Sequence, residues 1–194
     1  MGQFITIKSA VSNTFFIGLI TLLLSISKGD NNKLWDANSK LTWSDFKDTT
    51  LNNSRRAALT ASGIILNADP VDASHYTAEV YCIMDRNKSW VDVNRKSDYI
   101  LSHEQYHFNI TEYWCRKIKK DIAATHFTAK NIREKLESIR REDFKNAHEM
   151  EIQYDDETKH SLVKDQQQKW EKRIDALLKE TEKYAGPTIT ISLK

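Results

Sequence analysis

Glycine and proline are scarce in this chain, five and two among 194 residues, and neither occurs between Thr128 and Lys183. A body so poor in turn-forming residues, with 29% charged side chains, is expected to be helix-rich, and its length fits one domain with a substantial core. No basic block is interleaved with aromatics and the formal net charge is only +2, so nothing points to nucleic acid as a partner. No internal repeat is present.

A long hydrophobic run is missing too. The apolar stretch "FFIGLITLLLSIS", residues 15–27, falls short of the roughly 20 residues that a spanning helix needs. Lys8 precedes it as the only charge of the first 27 residues, and Lys28 ends it, which is the layout of an export signal. Ser25 and Ser27 supply small residues before a cut at Lys28; left uncleaved, the same segment would anchor the chain in the membrane. There is no lipobox cysteine, and although "MGQFIT" matches a myristoylation pattern, the apolar run accounts for the segment without it. The expected division is a signal or anchor over 1–27 and a single domain over 28–194, exported to the periplasm or beyond, with a formal charge of +1 once the leader is gone.

Two cysteines, Cys82 and Cys115, are too few for a disulfide scaffold. In an oxidising compartment they can pair and tie two segments together; the alternative is two separate buried thiols.

What the sequence does contain is "LSHEQYHFNITEYW", residues 101–114, where His103 and His107 stand four apart with Glu104 directly after the first. On a helix, residues four apart share one face, so both imidazoles can reach a single ion. Glu104 sits a small rotation away, where its carboxylate can reach a water at the metal without taking a coordination place. For six His and twelve Glu placed at random, such a motif arises in roughly one chain in a hundred. The surrounding sequence supports a helix with proper ends: Ser97 as N-cap, Asp98 in the first turn, and Arg116, Lys117, Lys119 and Lys120 towards the end. Ile100, His103, His107, Ile110 and Trp114 recur at helical spacing, which points the histidines inward.

Upstream, residues 28–40 read as a polar, flexible lead-in. "LTWSDFKD" (41–48), "RRAALTASGIILNA" (55–68) and "HYTAEVYCIMDRNKSWVDVN" (75–94) read as strands, broken by turns at Asn67–Pro70 and Asp85–Lys88, the last two runs (77–84 and 89–93) forming a hairpin into the motif helix. Downstream, 128–183 reads as one long helix or two with a break near 156–161. One apolar stripe contains Ile132, Leu136, Ile139, Phe144, Ala147 and Met150, and another Leu162, Trp170, Ile174 and Leu177. The class is α+β.

Catalytic zinc usually takes three protein ligands and a water, so a third ligand is needed. Glu112 lies on the wrong face of the motif helix, about 180° from His103 and 140° from His107. "HEMEIQYDDETKHS", residues 148–161, offers His148, Glu149, Glu151, Asp155 and His160. In one continuous helix Asp155 and His160 lie about 140° apart, and they meet only if the helix breaks between them. Asp155, if not a ligand, can accept the free N–H of a liganding histidine. Tyr154 is a candidate donor to a developing oxyanion, beside the plainer reading of a core tyrosine. Trp43 and Trp90 read as core.

Trp43 with Asp45-Phe46, "AALTASGI" (57–64), Ser89-Trp90-Val91, "LSHEQYHFNITE" (101–112), "YDDETKH" (154–160) and Gln167 with Trp170 together resemble bacterial domains of unknown function described as predicted secreted zinc-dependent proteases, over most of 43–170. The resemblance implies a zincin-like layout: a small antiparallel or mixed sheet packed on the active-site helix, then long C-terminal helices that supply the last ligand. The family pattern ends on His160, which makes it the favoured third ligand, with Asp155 and Glu151 as alternatives; where the family usually has Gly after that His, this chain has Ser161.

The expected function is an exported zinc hydrolase acting on peptides or proteins, with Zn2+ on His103, His107 and His160, and Glu104 as general base. An extended peptide can pair with a strand edge beside the helix. Two rivals stand beside it: a zinc-stabilised envelope binding module without turnover, and a membrane-anchored helical adaptor.

Overall fold

The computed structural model describes residues 31–48 and 56–194; the export segment expected at 1–27 lies outside the described residues. The elements are, in chain order, β1 (Asn32–Leu34), β2 (Ala58–Leu59), β3 (Ser62–Pro70), β4 (His75–Asp85), β5 (Trp90–Val91), α1 (Asp98–Ala124), α2 (Ile132–Thr158), α3 (Lys164–Glu180) and β6 (Thr188–Ser192). This is an α+β architecture with small antiparallel sheets and three helices.

β4 is the central strand. β3 pairs with it along β3's whole length, Ser62 opposite Met84 through Pro70 opposite Tyr76, while β1 and β6 share the other edge of β4, β1 at Ile83–Asp85 and β6 at His75–Glu79. β4 alternates strictly, Ala78, Val80, Cys82 and Met84 being buried on one face, which is the period-2 signature of a sheet covered on one side. Covering that face is α1, through Phe108, Cys115, Ile118 and Ile122. On its other side α1 meets α2 and α3 around Ile110, Met150, Tyr154, Trp170 and Ile174. One helix therefore separates two cores, and this is why so much of it is buried, including polar side chains that need partners.

The local rules explain the ends of α1. The Ser97 hydroxyl accepts from the Ile100 amide at 3.2 Å and satisfies one of the amides left unpaired in the first turn. Between α2 and α3 the chain breaks at Lys159, His160 and Ser161, all with positive φ (52°, 52° and 70°). Three successive non-glycine residues in the left-handed region are strained, and the third occupies the position where glycine would enter that region without cost.

Several expectations are corrected. Residues 32–34 are a strand rather than part of a flexible lead-in, and Trp35 behind them donates from Nε1 to Asn109 Oδ1 at 2.9 Å. Residues 41–48 hold a 3-10 turn at Trp43–Asp45 instead of a strand, with the Asp45 carboxylate accepting from the Thr42 amide. Asn67–Pro70 finishes β3, and the turn falls at 71–74, closed by Val71 N–H to His75 O; Pro70, lacking an N–H, is tolerated at the end of an edge strand. The hairpin between 77–84 and 89–93 does not form: β4 pairs with β3, and β5 pairs with β2. The cause is local, since the Ser89 amide and hydroxyl both donate to Asp85 O while its Oγ accepts from the Ala61 amide, turning the chain away from β4. Leu162 is exposed in the turn and takes no part in the α3 stripe. β6 closes the sheet from a stretch for which no strand was expected.

Candidate metal centre

α1 and α2 run antiparallel, so residues four apart on one face those four apart on the other. His103 meets Asp155, and His107 meets Glu151. The atoms that converge are His103 Nε2, His107 Nε2 and Asp155 Oδ1, separated by 3.2 Å (His103 to His107), 3.2 Å (His103 to Asp155) and 3.1 Å (His107 to Asp155). This is the one group of three such donors among the described residues.

The chemistry of these atoms fits a cation. The Glu151 carboxylate takes the Nδ1–H of His107 in a short hydrogen bond, which leaves the Nε2 lone pair pointing at the cluster. A neutral His107 so oriented places a lone pair against the Asp155 carboxylate and the edge of a second imidazole, an arrangement that demands a positive charge at its centre, either a proton or a metal. In proton form, burial opposes the charge on His107, but the Glu151 and Asp155 carboxylates outweigh it and hold its pKa well above the usual histidine value. Burial would raise Asp155, yet hydrogen bonds from His103, His107 and His160 hold it far below the usual carboxylate range. Burial raises Glu151, with His107 pulling against it. For a metal the spacing is as good: a tetrahedron with metal–ligand distances of about 2.0 Å has edges of about 3.3 Å. Two imidazoles and a carboxylate are a donor set suited to zinc, with one coordination place left open.

These atoms line a cavity of about 530 Å³. Its floor is α1 (Ile100, His103, Glu104, His107, Thr111), one wall is the chain from Arg56 to Ile64, and the other is the face of α2 from Phe144 to Asp156, with His160 and Ser161 at the end. Glu104, only 3% exposed, accepts from the Thr60 hydroxyl at 2.7 Å. Arg56 Nη2 lies 3.3 Å from Asp155 Oδ2, the oxygen that does not face the histidines.

Of the residues expected from sequence, His103, Glu104 and His107 come together as the helical spacing requires. The helix does break between Asp155 and His160, and both reach the same place, His160 Nδ1 lying 3.0 Å from Asp155 Oδ1. Asp155 and not His160, however, completes the convergent triad, and His160 stands behind it at the cavity's end. Tyr154 is fully buried: its ring stacks on His103 at 4.6 Å between centroids, its hydroxyl donates to His103 O at 3.4 Å, and it is not among the residues that line the cavity. Glu112 is remote, paired with Arg116. Cys82 and Cys115 are free thiols, both buried; burial pushes the Cys82 thiol well up, and Cys115 beside it adds to this. Trp43 and Trp90 are core or packed against it.

Sequence reasoning gave no role to Arg56 or to Thr60, although Thr60 lies within the "AALTASGI" run that helps carry the resemblance; both reach the site through the fold. For Glu151 and Asp155 a signal existed: they are spaced four apart, like the two histidines they face. No helix among the described residues is long and apolar enough to cross a membrane. No curated protein matches the chain, and neither does any solved structure. Residues 84–161 match the family described as "Bacterial protein of unknown function (DUF922)", a narrower span than the 43–170 on which the sequence resemblance rests, containing all six of His103, Glu104, His107, Glu151, Asp155 and His160 but neither Arg56 nor Thr60.

Proposed function

We propose that this protein is an exported, zinc-dependent peptidase of zincin-like layout, with His103, His107 and Asp155 as the metal ligands and Glu104 as general base. The observation that carries it is the meeting of three lone-pair donors at 3.1–3.2 Å inside a cavity that also contains a buried glutamate. A zinc ion held there would act as a Lewis acid on a carbonyl and lower the pKa of water at its open place.

The chain's own residues account for the rest. Glu104 takes a proton from the attacking water and later delivers it to the leaving amine, as a general base and then acid. Glu151 fixes the His107 tautomer, and the ring of Tyr154 fixes the plane of His103. The free edge of β3 suits an extended peptide. Asp85 N–H donates to Ala61 O at 2.8 Å, so the odd-numbered residues of β3 face β4, and the main-chain groups of Ser62 and Ile64 point to the open edge that lines the cavity.

The test separates turnover from a metal that only clamps helices. Glu104→Gln keeps size and removes the base; it is expected to retain one zinc per chain by elemental analysis and its melting temperature, while cleavage of a mixed peptide library, read by mass spectrometry, falls by about 10²-fold or more. A wild type that carries zinc, melts earlier when zinc is stripped and leaves the library uncut would instead support a binding module. Wild-type cleavage that survives the substitution would sink the mechanism.

A further inference from the structure

The chain from Arg56 to Ser62 forms one wall of the cavity; two of its polar side chains reach a carboxylate of the site, and a third reaches the hydroxyl of Thr111. Arg56 meets Asp155 Oδ2 at 3.3 Å. Ser62 Oγ lies 2.6 Å from Thr111 Oγ1, whose oxygen is 3.2 Å from His107 O and 3.4 Å from Glu151 Oε1. Between them, the Thr60 hydroxyl lies 2.7 Å from Glu104 Oε2 and 3.3 Å from Glu104 O; having one proton, it gives it to the nearer carboxylate oxygen.

We propose that Thr60 is a positioning residue for Glu104, fixing the carboxylate so that Oε1 is the oxygen left to act as base. The inference rests on the peptidase reading above. A glutamate side chain has three torsions, and a base that must meet a water within hydrogen-bond reach loses rate when those torsions wander. The 2.7 Å bond pins the far end of that side chain. Thr60 is itself held firmly, because the residues on either side are committed to pairing: Leu59 lies opposite Trp90, and Ala61 donates to Ser89 Oγ and accepts from the Asp85 amide. The Oγ1 position is therefore set by the two sheets and transmitted to α1 through one charge-assisted hydrogen bond, stronger than one between neutral groups. β-Branching adds to this, since threonine has few χ1 choices on extended backbone.

The experiment compares zinc-loaded wild type, Thr60→Val and Thr60→Ser on a peptide that wild type cleaves. Valine keeps the shape and removes the donor, and kcat is expected to fall about 10- to 100-fold, as for other residues that orient a reacting group, with zinc content retained and KM changed by no more than about twofold. Thr60→Ser should return kcat close to wild type. In the Glu104→Gln background Thr60→Val should add no further loss, because a hydroxyl that works through a base has nothing to do once the base is gone. A valine variant that cleaves at the wild-type rate, a loss confined to KM, or a loss that serine does not restore would each overturn the inference while leaving the peptidase reading intact. A zinc-loaded wild type that cuts no peptide would remove both. Thermal melts of Thr60→Val, Glu104→Ala and the double variant provide a readout without turnover: the two losses should be less than additive if the side chains share the bond, and strict additivity would overturn it.

Discussion

In its second half α1 buries Glu112, Arg116 and Lys119; in its first half it buries His103 and Glu104 and nearly buries His107. The second-half groups are satisfied from within. Arg116 donates to Glu112 Oε1 at 2.7 Å and to Leu178 O at 2.9 Å and lies over the Trp35 ring, while Lys119 donates to the carbonyls of Val80 and Gly186. Each of these groups has a hydrogen-bond partner, and burial pushes the pKa of Glu112 up and that of Lys119 down against those partners. In the first half, acceptors face acceptors across a cavity. His103 Nδ1 is buried with no hydrogen-bond partner among the described residues, and the convergent atoms of His103, His107 and Asp155 form a group that could hold a proton or, as proposed above, a metal ion. The same helix thus carries a closed polar network that joins sheet to helices and an open one whose unmet demand marks the site. Burial of charge alone does not mark a site; incompleteness does.

The largest expected effect breaks the open network. Asp155→Ala should lower zinc affinity by roughly 10³-fold or more, since zinc sites in zinc-finger peptides are worth about 10–16 kcal/mol shared among their ligands. His160→Ala should cost at most about 10- to 100-fold, the range for residues that touch a ligand and not the metal. Competition with a chromogenic chelator measures both, and the reverse order would move the third ligand to His160.

Breaking the closed network should leave zinc affinity alone and cost stability. Arg116→Ala strands Glu112 in the interior and is expected to destabilise the fold by about 3 kcal/mol, read from chemical denaturation. Replacing both partners at once, Arg116→Met with Glu112→Leu, should cost much less, because two apolar side chains leave no charge unpaired. A drop in bound zinc for Arg116→Ala, with the fold intact, would contradict the separation of the two networks.

How much of this difference was legible in the sequence depends on the range over which each feature is encoded. The Ser97 cap, the i, i+4 histidines and the break before α3 are local, written within one or two turns of helix, and they were readable. The placing of Asp155 in the convergent group with His160 beside it was not, because it depends on three left-handed residues at 159–161, none of them glycine, which bring His160 Nδ1 to 3.0 Å from Asp155 Oδ1. Thr60, Arg56 and β6 were silent for a different reason. They join the site or the sheet through contacts dozens of residues away in sequence, and nothing in their own neighbourhood announces a partner. The misread hairpin belongs to the same class: the composition of 89–93 suits a strand, but the hydroxyl of Ser89 decides which strand it joins.

A third arrangement, where α1 meets α2, sharpens the comparison because two carboxylates face each other there. Asp143 of α2, 3% exposed, faces Asp121 of α1, with Lys117 on the Asp121 side of the pair. Burial raises the Asp143 pKa from 3.8 to about 6, and the neighbouring Asp121 carboxylate adds to this. Two like charges facing each other in this way favour a proton on Asp143 over its ionised form until the pH rises past about 6. The folded state then binds more protons than the unfolded state between pH about 4 and about 6, so stability is fully present below that window, falls as pH rises through it, and is level above it. A shift of this size corresponds to about 3 kcal/mol at most, and about 2 kcal/mol after allowing for relaxation around the pair. Asp143→Asn keeps a donor towards Asp121 without the titration. Its stability, from denaturation curves collected at half-unit steps, should match wild type near pH 4 and exceed it by about 2 kcal/mol at pH 7. If the two proteins instead show parallel pH dependence across that window, Asp143 is not the titrating group and the far end of the α1–α2 interface belongs with the closed network.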